Sequence, residues 1–190
     1  MTAATSSVAA PPNFATALQR LYFTRFAFAV IWAGLLAATA TTKGPALTAL
    51  LVIYPLFDAA AVLWQLRAEG ATPRAKTTEW INVAVSVAVA IALGIASSIS
   101  IAAALTVWGI WAIGAGIPQL ITAIGNRRAG GQVPQMLSGG LSVLVGAAFL
   151  AQGLSGAGNI AGVAGYATVG AIFFLISAIR LTIVLRKGAK

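Results

Sequence analysis

The sequence predicts an all-α protein, an integral membrane bundle of six transmembrane helices built from three helical-hairpin repeats. Three observations carry this expectation. The 190 residues are 59% hydrophobic and 8% charged, with a mean hydropathy of +0.94, whereas soluble domains carry about 25% charged residues. Six apolar runs follow one another, at 21–39, 46–66, 80–96, 99–124, 136–151 and 160–185. Most approach or exceed the roughly 20 residues needed to cross a hydrocarbon core of about 30 Å. Backbone groups in lipid must be hydrogen-bonded internally, which leaves helices or a closed barrel. Barrel strands are about 10 residues long and alternate in polarity, while these runs are longer and apolar on every face.

The first 19 residues are small, polar and proline-containing, with no cation before Arg20. They lack the basic start of a signal peptide and read as a disordered cytoplasmic tail, so that residues 20–190 make the membrane domain. Run 2 holds Asp58, the sole acid inside any apolar run, and a carboxylate at that depth is expensive unless paired or protonated. It also holds Pro55. Run 3 contains the alternation of residues 83–90, VAVSVAVA, which in water reads as a strand. At helical spacing the same run presents two small stripes, Ala84/Ala88/Ala92/Ala96 and Ser86/Ala90/Gly94, which let membrane helices approach closely. The helical reading is preferred because the run is long and nearly uncharged. Run 4 carries Gly114, Gly116, Pro118 and Gln119. Proline removes a helix hydrogen bond and kinks the helix, which makes Pro118, Gln119 and Pro55 candidates for a kink or a cavity. Run 5 carries Ser138, Ser142 and Gly146 in one stripe, with Gly139 beside it, for packing within the chain or against a second copy.

Orientation follows from the cations. Eleven of the 12 Lys and Arg residues fall at the starts of the odd-numbered runs or the ends of the even-numbered ones, and Lys43 alone falls on the other side. The positive-inside rule then places both termini in the cytoplasm and the protein in the inner or plasma membrane. The net charge of +9 is explained by topology without a nucleic-acid partner. Trp64, Trp80 and Tyr22 sit where interface anchors are expected.

The chemistry open to this chain is narrow. It has no Cys and no His, which removes disulfides, Cys/His metal sites, thiol nucleophiles and imidazole acid-base catalysis. Asp58, Glu69 and Glu79 are its three acids. No enzyme activity, metal or cofactor is expected, and the lipid bilayer is the expected partner, with a second copy or another membrane protein beside it.

Asp58 is the residue most able to carry function. Arg25 lies 14 residues before Thr39, and Asp58 lies 12 residues after Ala46, so their depths differ by about 3 Å in an antiparallel hairpin. Arg25 is the expected first partner and Arg180 the second, since long side chains extend and snorkel. A structural ion pair and a titrating group in a proton or solute path are both compatible with these positions.

The chain also repeats. Arg25 to Asn82 and Tyr54 to Trp111 are each 57 residues. The units run over about 21–67, 80–128 and 136–186, each a hairpin in parallel orientation. Unit 1 carries Thr24-Arg25-Phe26, Trp32-Ala33-Gly34, then Val52-Ile53-Tyr54-Pro55-Leu56-Phe57-Asp58-Ala59 and Leu66-Arg67. Unit 2 carries Gly109-Ile110-Trp111-Ala112-Ile113 and Gly116 with Ala115 at the acid position, and unit 3 Gly170-Ala171-Ile172-Phe173 and Leu185-Arg186 with Ser177 there. Over about residues 17 to 188 this pattern resembles the HdeD-like membrane proteins. Phe26, Pro55 and Ala59 depart from the family pattern. The resemblance implies six helices in three two-helix units, an Arg and an Asp at the positions of Arg25 and Asp58, and an association with acid resistance without a known molecular activity.

Overall fold

The computed structural model describes residues 12–68, 73–125, 133–156 and 159–188. They form six helices: α1 (Pro12–Thr39), α2 (Pro45–Ala68), α3 (Pro73–Ile99), α4 (Ile101–Gly125), α5 (Val133–Leu154) and α6 (Ala161–Gly188). All six contain a stretch long and apolar enough to cross a membrane. Residues 1–11, Glu69, Arg127 and Arg128 lie outside the described residues.

Local chemistry sets the helix ends. Three helices begin at proline, at Pro12, Pro45 and Pro73, because the first helical N–H has no intrahelical partner to lose and the fixed φ suits the helix. α1 therefore starts inside the stretch expected to be tail, and α3 starts seven residues before its apolar run. Ser100 is the single residue between α3 and α4, and its Oγ accepts the Ala103 N–H at 2.9 Å. Asn159 Oδ1 likewise accepts the Ala161 N–H at 2.8 Å at the start of α6. Both satisfy a donor that the first helical turn leaves open. Gly156, with φ +80°, turns the chain after α5 in a conformation that other residues rarely adopt. Lys43 Nζ donates to the Ser98 and Ile99 carbonyls, each at 3.1 Å, placing a cation at the negative end of α3. The VAVSVAVA segment is helical, since only a helix closes its backbone hydrogen bonds within lipid.

The surface confirms the surroundings. Ile31, Ile91, Ile95, Ile121 and Leu144 are 61–72% exposed, an apolar exterior that suits hydrocarbon. The chain is a multi-pass integral membrane protein.

The helices form a closed ring, with α6 returning to α1. The three closest pairs are α1–α6, α2–α3 and α4–α5, and each uses a different device. The α2–α3 seam carries hydrogen-bonded rungs at three depths: Ser97 Oγ to Thr48 Oγ1 at 3.0 Å, Ser86 Oγ to Asp58 Oδ2 at 3.0 Å, and Gln65 Nε2 to Glu79 Oε1 at 3.3 Å. Ser86 and Ala90 are buried on this seam and Gly94 faces Val52, while Ala84 and Ala88 are exposed. Of the two small stripes, the first one is therefore mostly turned outward.

The α4–α5 seam is backbone against backbone. A Cβ on Gly109 would stand 2.6 Å from Leu150 N, one on Gly116 2.8 Å from the Gly139 carbonyl, and one on Gly146 2.9 Å from the Gly109 carbonyl. Gly153 packs equally tightly on Ala102 and Thr106. The α5 contact line is thus Gly139, Ser142, Gly146 and Gly153, not Ser138/Ser142/Gly146, and α4 occupies it. Ala29 and Ala33 of α1 and Ala171 and Ala178 of α6 are buried, and across the α1–α6 seam Tyr22 stacks on Phe174 at 6.3 Å and Gln19 Nε2 donates to Thr182 Oγ1 at 2.5 Å.

The repeat reading also anticipated that α2, α4 and α6 approach one another. Their backbones are not among the close pairs. Between α2 and α4 aromatic rings intervene: Tyr54 of α2 meets Trp108 and Trp111 of α4 at 5.5 and 6.2 Å.

Candidate functional site

Arg25, Asp58 and Ser86 converge from α1, α2 and α3. Arg25 Nη2 lies 3.5 Å from Asp58 Oδ1, with the two side chains 15% and 26% exposed. Asp58 Oδ2 accepts the Ser86 hydroxyl, and Ser86 is itself fully buried. Each carboxylate oxygen thus has a separate partner on a separate helix. The guanidinium also lies over the Phe174 ring of α6, with Cζ 5.2 Å from the centroid, an arrangement in which the ring face attracts the cation. Arg25 Nε is buried without a hydrogen-bond partner among the described residues.

A cavity of about 30 Å³ opens beside the pair, lined by Arg25, Phe28, Ala29, Tyr54, Phe57, Asp58 and Phe174. By the same measure a single water takes ~10–15 Å³, so the cavity has the size of two or three waters. Its walls are mostly aromatic. Phe28 stacks on Phe57 at 3.7 Å, and Tyr54 leans on Trp32 at 4.4 Å.

Toward the Lys43 end the site meets a packed block of rings. Trp32 stacks on Trp108 at 5.5 Å, and Trp108 meets Trp111 edge-on at 5.2 Å. Trp32 and Trp108 are 2% and 1% exposed. Trp32 Nε1 donates to the Leu50 carbonyl at 2.7 Å, one residue from the Leu51 carbonyl whose helical donor Pro55 removes. Trp108 Nε1 is buried without a hydrogen-bond partner among the described residues. On the far side, Tyr166 of α6 shares a 2.7 Å hydrogen bond with Ser142 of α5.

The other sequence candidates fall elsewhere. Arg180 is exposed on α6 and does not join the Arg25–Asp58 pair; α6 sends Phe174 there instead. Two positions before Arg180, Ala178 is fully buried, and two residues are 200° of helix, so Arg180 faces outward. Pro55 is buried beside the site, and Pro118 is exposed near the basic end of α4. Gln119 is half-buried. Neither Pro118 nor Gln119 lines the cavity at Asp58. Ser86 and Phe174 are the site residues that sequence reasoning missed. Ser86 was legible as a small packing position but not as a partner for an acid. Phe174 gave no signal, since cation–ring contacts have no spacing rule between distant helices.

Comparison with protein-family models, with characterised proteins and with solved structures finds no match to this chain.

Proposed function

We propose that this is a non-enzymatic multi-pass protein of the cell membrane, of the HdeD-like type, which supports envelope tolerance of stress, including acid, through membrane packing or protein partners. The observation that carries this reading is the pairing of the charged cluster that the described residues place inside the bundle. Asp58 is engaged by Arg25 and Ser86, the adjoining cavity has the volume of two or three waters, and a block of aromatic rings lies beyond it. In this reading Arg25–Asp58 joins helices and does not form part of a pathway. The bilayer is the first partner, and a second copy or another membrane protein docks on the outer helix faces. Both termini lie in the cytoplasm by the positive-inside rule.

The same reading takes the bundle as three hairpin units. Its support is the pairing pattern, in which the second helix of each unit packs closely on the first helix of the next and α6 returns to α1.

A small proton- or solute-conducting transporter is the second reading, favoured by the cavity that reaches Asp58 and Arg25. One experiment separates the two. Cells lacking the protein are complemented with wild type or with Arg25→Leu/Asp58→Leu, which removes both charges together and leaves neither unpaired. Survival of acid challenge is scored, and proton flux into liposomes holding each purified protein is measured. The packing reading expects wild type and double variant to restore survival equally, with no flux above empty liposomes. Flux through wild type that the double variant abolishes would establish the transporter instead.

A further inference from the structure

The apolar core that all six helices share fills one half of the bundle. None of its buried members lies more than seven residues along its helix from the Lys43 end, the farthest being Trp32 and Trp108 (39 − 32 and 108 − 101). Among the half-buried side chains packed on it, the farthest is Phe28, 11 residues along (39 − 28). At 1.5 Å per residue the core therefore ends about 16 Å into a hydrocarbon layer of about 30 Å. Nearer the basic end, the largest buried side chains among the described residues are Leu21 and Val83.

Three helices show the same change along the faces that meet this core. Side chains seven residues apart share a helix face, because seven steps of about 100° fall about 20° short of two turns. On α4, Trp108 is 1% exposed and meets Trp32 and Tyr54, whereas Ala115 and Thr122, on the same face, are exposed. On α3, Val89 packs on the core, whereas Asn82, seven residues nearer the basic end, is exposed. On α6, Val163 is fully buried, whereas Gly170 and Ser177 are half-buried, and a Cβ on Gly170 would meet nothing within 4 Å. Faces that converge at the Lys43 end thus part toward the basic end. The outward face of α4 carries Ile110, Ile117 and Ile121, while the parted faces carry the amide of Asn82 and the hydroxyls of Thr122 and Ser177. Polar groups are costly in hydrocarbon, so these faces suit water.

From this geometry we infer that the basic half of the bundle interior is an aqueous vestibule, which admits water and small hydrophilic solutes from the basic end and stops at the aromatic block. The cavity beside Arg25 and Asp58 is its deep corner. Asp58 lies 13 residues from the Lys43 end of α2 and Ala115 lies 14 from that of α4 (58 − 45 and 115 − 101), the same depth to within about 2 Å. Water from one side thus reaches the 26%-exposed Asp58 carboxylate, and Trp32, Tyr54, Trp108 and Trp111 separate it from the other side. The inference concerns access and not passage, and it rests on neither reading of the function.

The chain contains no cysteine, so single cysteines can be introduced without background. Ala115→Cys, Gly170→Cys and Ile117→Cys are each expressed in membrane vesicles with the basic end facing outward or inward, and treated with a charged, membrane-impermeant methanethiosulfonate. Ile117 is 44% exposed, two residues nearer the basic end than Ala115 and on the outward face, so depth alone would favour its reaction. The thiolate is the reacting species, and apolar surroundings raise a thiol's pKa. Each unit removes about tenfold of the thiolate, so Ala115→Cys should react roughly tenfold faster than Ile117→Cys, or more. Gly170→Cys should also outpace Ile117→Cys, and both should react from the basic side only. Gly170→Cys lies on another helix and enters open space, which keeps the comparison valid if Ala115→Cys does not fold. Vestibule cysteines that react no faster than Ile117→Cys would show lipid between the parted faces, and reaction from the Lys43 side would show that the aromatic block is not a seal; either result overturns the vestibule.

Discussion

Replacing a glycine by alanine should change stability in opposite directions at two positions of α5 only six residues apart. A Cβ on Gly146 would stand 2.9 Å from the Gly109 carbonyl, from Ile113 N and from Ile113 Cγ1, while a Cβ on Gly140 meets nothing within 4 Å. Ordinary contact begins at 3.4 Å, so Gly146→Ala is too close by 0.5 Å (3.4 − 2.9), and two of the three obstructing atoms are backbone. The pair must separate, loosening its neighbours along the seam. Overpacking of this kind costs about 1–3 kcal/mol, against a gain of roughly 0.5–1 kcal/mol from replacing glycine in a helix. At Gly140 the gain is unopposed. With roughly 2–4 °C per kcal/mol for a chain of this length, Gly146→Ala should lower Tm by several degrees, and Gly140→Ala should raise it by about 1–4 °C. The assay is thermal unfolding of purified protein in one detergent, followed by intrinsic tryptophan fluorescence. If both variants move Tm in the same direction, the backbone contact between α4 and α5 is not a determinant of stability.

The other predictions concern single interactions. Arg25→Leu and Asp58→Leu should each destabilise, since a lone charge at this depth costs roughly 2.5–3.5 kcal/mol. The double variant should lose less than the two single losses added together, and strict additivity in thermal unfolding would show the residues uncoupled. Trp32→Phe keeps a ring but removes the bond to the Leu50 carbonyl; a loss of about 0.5–1.5 kcal/mol is expected, read as a lower Tm with helix content unchanged by circular dichroism. Lys43→Met removes the cation from the end of α3, and its cost of about 0.3–1 kcal/mol should shrink in high salt; a salt-independent loss would point to packing instead.

The class of fold was legible because lipid simplifies the problem. Once the backbone must satisfy itself, length and apolarity decide, and even the strand-like VAVSVAVA segment becomes helix. Asp58 was legible as the lone acid in an apolar run, and Arg25 as the cation nearest its depth. Which of several small positions would become a seam was harder to read. Gly139, Gly146 and Gly153 recur every seven residues, yet Gly153 reads as a turn residue from sequence because the apolar run stops short of it. Arg180 shows the converse error. Depth alone makes it a partner for Asp58, whereas the buried phase of α6, through Ala164, Ala167, Ala171 and Ala178, turns it outward. Helical phase was available in the sequence, but which face of α6 meets the bundle depends on neighbours that the sequence does not name.

The three close pairs also explain the position of the charged cluster. Apolar burial gives membrane helices no net drive to associate, so each pair needs a specific attraction. Those attractions here are hydrogen-bonded rungs in α2–α3, backbone contact in α4–α5, and ring and amide contacts in α1–α6. The pairs must then be joined to one another. Arg25 belongs to α1–α6 through Phe174, and Asp58 belongs to α2–α3 through Ser86, so their ion pair is the link between those two pairs. The aromatic block does the same for α4–α5, setting Trp108 and Trp111 against Trp32 and Tyr54. The α5–α6 junction has the fewest backbone approaches of the ring. It is held chiefly by Tyr166 on Ser142 and Phe149, which makes it the least reinforced seam of the bundle.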